Sequence, residues 1–201
     1  MRVRGFTLVE LIVVIAIIAV LAAVIAPQAY RAVEKAKIAK AHTDYRAIHT
    51  ATYALHGDTG DWPHGGNSRE RVIWSGLMRN PPLWNAAGTL NVPYGGWNGP
   101  YLEKFSGMHP WGGIYMFSTN ANFGRGTAGE LAVEFENMCF PNGATSNCPV
   151  PLSSQLIIDR SLDDGVNNVG EVQRTSWNDL HWVIIWDKCA PGVVACENSS
   201  S

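Results

Sequence analysis

Phe6-Thr-Leu-Val-Glu-Leu-Ile-Val-Val-Ile-Ala-Ile-Ile-Ala-Val-Leu-Ala-Ala-Val-Ile-Ala26 carries one charged residue, Glu10. As an α-helix at 1.5 Å per residue, its roughly 21 residues reach about 31 Å, the thickness of a bilayer's hydrocarbon core. A cleaved secretory signal fits poorly. Its apolar region usually has about 7–15 residues and ends at small residues before the cut, whereas this run is longer and Pro27 follows Ala26. A plain anchor has the right length but gives no reason for Glu10, because a carboxylate at mid-bilayer costs roughly 2.5–3.5 kcal/mol. An acid in such a run requires a partner.

Immediately upstream stands Arg2-Val-Arg-Gly5, and Phe6-Thr7-Leu-Val-Glu10-Leu opens the apolar tract. This arrangement resembles the prepilin leader and N-terminal helix of type IV pilins and type II secretion pseudopilins. The resemblance implies that a prepilin peptidase cuts between Gly5 and Phe6 and methylates the new amino terminus. It also implies that Phe6, Thr7, Glu10 and Pro27 serve assembly. Glu10 then lies about 6 Å from the start of the mature helix, near the interface rather than at the costly centre. Its expected partner is the positive amino terminus of Phe6 on a neighbouring subunit. Such a pair is a register device, since one axial offset satisfies both charges in an apolar filament core. Loss of Arg2 and Arg4 takes the formal charge from -2 to about -4.

The expected organisation is a leader at 1–5, a long helix at 6–57 with 6–26 in the membrane or filament core, and a periplasmic or extracellular head at 58–201. The expected fold class is α+β: a pilin-like fold with a long protruding N-terminal α-helix packed on a small antiparallel β-sheet with long loops. Beyond Pro27, residues Ile38, Ala41, Tyr45, Ile48, Thr52 and Leu55 recur at spacings of three and four, an amphipathic stripe for the sheet. Gly57 is the expected stop. Pro27 removes a backbone hydrogen bond to the preceding turn, so a kink or a locally melted stretch is expected there. His42, His49 and His56 repeat every seven residues along one side. Their rings, about 10.5 Å apart along the axis, are too distant for two to share a metal, and they read as a polar flank of the stripe.

Further on, a short helix is predicted near Ser68 to Met78, and strands over Ile114–Ser118, Leu131–Met138 and His181–Trp186, where β-branched and aromatic residues concentrate. In the second strand Leu131, Val133 and Phe135 alternate with Ala132, Glu134 and Glu136, which reads as apolar-in and polar-out. Gly124-Arg-Gly126-Thr-Ala-Gly129 matches the dinucleotide fingerprint by letter, but a strand rather than a helix follows it, so it reads as a hairpin connection. Gly99-Pro-Tyr-Leu-Glu-Lys104 and Pro110-Trp-Gly-Gly-Ile-Tyr115 resemble the body signature of the major pseudopilin. Here His109 replaces the family's usual Asp, and an insertion separates the helix from this signature.

The spacing of four cysteines as two close pairs favours disulfides Cys139–Cys148 and Cys189–Cys196, although four cysteines permit three pairings. Disulfides suit an oxidising compartment, and the other readings are buried free thiols and a zinc site, against which neither pair has the two-residue spacing of a zinc ribbon. Flanking charges fix orientation poorly, because Arg31, Lys35, Lys37 and Lys40 follow the span as Arg2 and Arg4 precede it. In the acidic segment Asp159–Glu171, hard oxygen donors Asp163, Asp164 and Asn167 surround Gly165. The family resemblance implies calcium in the loop before the last strand. Arg160 and Leu162 occupy positions that an EF-hand fills with ligands, and a solvated turn capped by Asp and Asn is the other reading. No cofactor is required.

Three function classes compete. The resemblance implies a homo-oligomeric filament subunit, held in the inner membrane and then built into a periplasmic or cell-surface filament. Its partners are prepilin peptidase, an inner-membrane assembly platform and minor pilins or pseudopilins. A type II secretion pseudopilus is favoured over a surface pilus for adhesion, motility or DNA uptake. A membrane-tethered glycan- or surface-binding module is the second class, with loop residues Trp62 and Trp97 as its candidate platforms. Most of the 8 Trp residues, including Trp74, Trp182 and Trp186, read instead as packing. An enzyme is the third and weakest class, since no nucleophile, base and orienting group are suitably spaced. A net charge of -2 gives no footprint for nucleic acid.

Overall fold

A computed structural model of the chain describes residues 6–63, 69–80, 93–121, 130–139, 148–163, 165–166, 170–174 and 179–185. It divides into two compact units, residues 1–37 and 38–201. Helix α1 spans Leu8–Thr59 and contributes to both. It passes through Pro27 unbroken, so the melted stretch expected there is not found. The chain leaves the helix three residues later than expected. Gly57 is still helical, and the left-handed residue that ends the helix is Gly60, whose N–H reaches the carbonyl of His56 at 2.8 Å.

In the first unit the large apolar side chains between Leu8 and Ile25 are all exposed, at 47–73%. The second unit has the expected stripe. Ile38, Ala41, Tyr45, Ile48, Thr52 and Leu55 are buried, joined by Ala51 and by one carboxylate, Asp44. Asp44 is held by Lys40 one turn back and by the hydroxyl of Tyr115, which donates to its Oδ2 at 3.2 Å.

The sheet has five strands rather than three: β1 Arg69–Arg71, β2 Ile114–Ala121, β3 Glu130–Glu136, β4 Val172–Arg174 and β5 Leu180–Ile185. Their spatial order is β1-β2-β3-β5-β4, and every neighbouring pair is antiparallel. The helix predicted near Ser68 to Met78 is replaced by edge strand β1, a single 3₁₀ turn at Val72–Trp74 and a further turn. Val72 and Leu77 of this segment are buried in the core. Between β3 and β4 a second helix, α2, spans Leu152–Leu162. It takes in Asp159 to Leu162, which had read as part of an acidic loop.

Alternation holds on the core face. Tyr115 and Phe117 of β2, Leu131, Val133 and Phe135 of β3, and Leu180, Trp182 and Ile184 of β5 meet the helix stripe in one apolar cluster. Trp182 stacks on Tyr45, with centroids 3.6 Å apart and planes 5° from parallel, and the Tyr45 hydroxyl donates to the carbonyl of Val183 at 3.3 Å. The opposite face of β3 departs from expectation, because Glu134 and Glu136 are buried there instead of solvated. Glu134 is paired across the strands with His181, whose Nε2 lies 2.9 Å from its Oε1. The heptad histidines are indeed a flank of the stripe, and an aromatic one. His42 meets the edge of Trp182, His49 packs on Tyr45 and Tyr53, and His56 stacks on Trp62 at 3.8 Å.

Candidate assembly site

An α-helix begins with amides that have no partner inside it. At the start of α1, Thr7 and Glu10 supply those partners to each other. Glu10 Oε2 accepts the Thr7 N–H at 2.9 Å and the Thr7 hydroxyl at 2.8 Å, while Thr7 Oγ1 accepts the Glu10 N–H at 3.3 Å. This reciprocal pattern is a capping box, with Thr7 as cap and Glu10 at the third helical position. The negative carboxylate also lies at the positive end of the helix dipole. Glu10 therefore has a partner inside its own subunit. The sequence signal was Thr-x-x-Glu ahead of an apolar run, and reading Glu10 solely as an intersubunit ligand overlooked it.

Phe6 is 80% exposed beside this box. Gly5 and the rest of the leader lie outside the described residues, and Pro27 is inside α1. The exposed apolar surface from Leu8 to Ile25 belongs to a helix long and apolar enough to cross a membrane. One arrangement thus combines a carboxylate that accepts the N–H and hydroxyl of Thr7 at the amino end with a long uncovered apolar surface. Such a surface invites burial in lipid or against copies of itself.

In the head, the signature segment is fixed by its polar atoms. Tyr101 and Leu102 donate their N–H groups to the carbonyl of Leu77, at 2.8 and 3.0 Å. The Tyr101 hydroxyl donates to Asp58 at 2.8 Å, and Trp97 Nε1 donates to the carbonyl of Gly76 at 2.7 Å. The Gly99–Pro100 peptide is cis. His109, 2% exposed, ties the turn before β2 to the end of β3. Its Nδ1 accepts the Trp111 N–H at 3.3 Å, which leaves Nε2 to carry the proton and donate to the carbonyl of Glu136 at 3.0 Å. Gly113 permits this, because a Cβ there would fall 2.1 Å from that carbonyl oxygen and 2.2 Å from the ring. An Asp at 109 has the acceptor for Trp111 but no donor for Glu136, so the replacement changes which strand atom the turn can hold. Desolvation pushes the His109 pKa down to about 4.

Cys139 and Cys148 form a disulfide with Cα atoms 5.3 Å apart, as their spacing suggested. Cys189, Cys196, Asp164, Asn167 and Trp186 lie outside the described residues. Asp163 ends α2, and its carboxylate accepts the N–H of Glu171. Of the two glycan-platform candidates, Trp62 has no free aromatic face and Trp97 is half-buried. Trp62 is buried under His56, and Trp97 meets Tyr101 edge-on while its indole N–H is engaged. The dinucleotide-like glycines precede strand β3, which pairs antiparallel with β2, instead of a phosphate-binding helix.

Two family models match the chain: the prokaryotic N-terminal methylation motif over residues 1–26 and the C-terminal part of PilW over residues 32–129. No curated protein and no solved structure matches it. With its long N-terminal helix and antiparallel sheet, the chain belongs to the type IV pilin-like superfamily, whose members are structural subunits. Within that class, the PilW match takes in the head-packing half of α1, the signature segment and β2. The methylation motif implies processing by prepilin peptidase and filament assembly in general, from a membrane-anchored precursor.

Proposed function

We propose that this subunit, cut between Gly5 and Phe6 and methylated at Phe6, polymerises into a type II secretion pseudopilus. The observation that carries the proposal is the amino end itself, where Thr7 and Glu10 form a polar start to an otherwise uncovered apolar helix. In the membrane, the Glu10 carboxylate is held by its own Thr7. In the filament it gains the ammonium of Phe6 on the neighbouring subunit, and residues 6–26 are buried against one another. Pro27 marks the point where the core segment gives way to the head-packing half of the helix. The head is stapled by Cys139–Cys148 and, in this proposal, by Cys189–Cys196.

The secretion reading is supported by the resemblance of Gly99-Pro-Tyr-Leu and Pro110-Trp-Gly to the major pseudopilin. The second reading is a surface pilus subunit, since His109 and the insertion before the signature depart from the major pseudopilin's pattern. Deletion of the gene separates them. Loss of protein secretion, with the wild-type subunit absent from the sheared surface fraction, is the expected result. Intact secretion, with the subunit abundant in sheared filaments, moves the assignment to the surface pilus.

A further inference from the structure

Residues 27–37 continue α1 beyond the apolar run, and their composition changes at once. Arg31, Lys35 and Lys37 stand there against one acid, Glu34, after a run from Phe6 to Ala26 whose one charge is Glu10. At 1.5 Å per residue, Tyr30 lies about 6 Å past Ala26, Arg31 about 7.5 Å, Lys35 about 13.5 Å and Lys37 about 16 Å. With residues 6–26 across the hydrocarbon core, the headgroup layer covers roughly the first 5–8 Å of this stretch. Tyr30 and Arg31 therefore fall among the headgroups, while Lys35 and Lys37 fall within about a Debye length of their outer edge.

Direction and exposure suit the same surface. Side chains on an α-helix lean toward its N-terminus, which here is the membrane-embedded end, so the basic chains at 31–37 reach back toward the bilayer. Gln28 to Val33 are all exposed, more than one helical turn, with Tyr30 at 78% and Val33 at 55%. At about 100° per residue, Tyr30 and Lys37 share one side of the helix, and Arg31 and Lys35 share another about 130° away. A protein docked on one face would engage one of these sides, whereas headgroups surround the helix and meet both. Tyrosine at the edge of a span acts as an interfacial anchor, and basic residues clustered just outside a span attract anionic headgroups.

We infer that Tyr30, Arg31, Lys35 and Lys37 form a collar around α1 that binds the headgroups of anionic phospholipids and so fixes how deep the span sits in the membrane-anchored subunit. This rests on residues 6–26 spanning a membrane and holds whichever filament the subunit builds. The test is native mass spectrometry of the full-length protein in detergent with equal amounts of phosphatidylglycerol and phosphatidylcholine. Each basic residue near an anionic surface corresponds to about a fivefold preference, so phosphatidylglycerol adducts are expected to exceed phosphatidylcholine adducts by at least about tenfold, and by less as ionic strength rises. Arg31→Gln, Lys35→Gln and Lys37→Gln together are expected to remove most of that excess, while Arg31→Lys with Lys35→Arg and Lys37→Arg keeps it. Both variants are expected to retain the wild-type Tm of the head by Trp fluorescence, since its core begins at Ile38. Resistance to alkaline extraction from membranes tests the span itself, and extraction of the wild type would remove the ground on which the collar stands. Equal adducts of the two lipids on the wild type, or an excess unchanged by the three Gln substitutions, would overturn the inference with the span intact.

Discussion

Glu10→Ala is expected to leave a folded, membrane-resident subunit that is not incorporated into filaments. The structure separates the two consequences of this change. Inside the subunit, the substitution removes the acceptor for the Thr7 N–H and hydroxyl, a loss confined to the first turn of a long helix. The head core begins at Ile38, far along the chain, and is untouched. Between subunits the same carboxylate is the proposed counter-charge for the Phe6 ammonium. Without it a positive terminus enters an apolar core unpaired, where breaking a buried pair costs roughly 3–5 kcal/mol. Quantifying filament-incorporated against membrane-resident subunit is the check. Glu10→Gln retains an oxygen for the cap but no charge, so it is expected to fail at assembly as Ala does. Filaments at wild-type yield from Glu10→Gln would show that the cap, and not the charge, is what assembly uses.

Acidification is expected to destabilise the head between about pH 6.5 and pH 4. His109 is held neutral in the fold by burial, with its pKa lowered to about 4, while in the unfolded chain it titrates near 6.5. Across that window the unfolded state binds the additional proton, so stability falls as pH falls. The shift corresponds to about 3 kcal/mol, fully expressed by pH 4. Protonation also strikes the geometry, because Nδ1 can no longer accept the Trp111 N–H. Burial lowers the pKa values of His42 and His49 as well, which adds in the same direction. Urea melts at a series of pH values provide the check. His109→Gln, which keeps a donor for the Glu136 carbonyl and does not titrate, is expected to give a visibly flatter profile over that window. An identical slope in both proteins would contradict the assignment.

What was legible in the sequence follows the strength of its periodicity. The helix stripe from Ile38 to Leu55 and the three central strands were readable because long runs of one spacing leave little ambiguity. Edge strands β1 and β4 were not, because each has three residues and is defined by its pairing with a neighbour. Helix α2 left a usable signal in Pro151 ahead of Leu-Ser-Ser-Gln-Leu-Ile-Ile, which was obscured by reading Asp159 forward as one acidic loop. Gly57 misled because glycine is tolerated within a helix, whereas the residue with the required left-handed backbone was Gly60. Glu134 and Glu136 followed the alternation rule for facing but not for burial. The partner of Glu134, His181, comes from a distant part of the chain. At the candidate site the motif singled out Gly5, Phe6, Thr7 and Glu10 as expectations, of which Gly5 lies outside the described residues. The intramolecular use of Thr7 emerged from the hydrogen bonds.

The most direct test of the filament account is the intact mass of the subunit from membranes and from isolated filaments, with and without reductant. The account predicts a chain beginning at Phe6 and carrying one added methyl group, with reductant opening the Cys139–Cys148 bridge and the proposed Cys189–Cys196 bridge. Full-length protein retaining Met1 to Gly5, with no form beginning at Phe6 in either fraction, would contradict it.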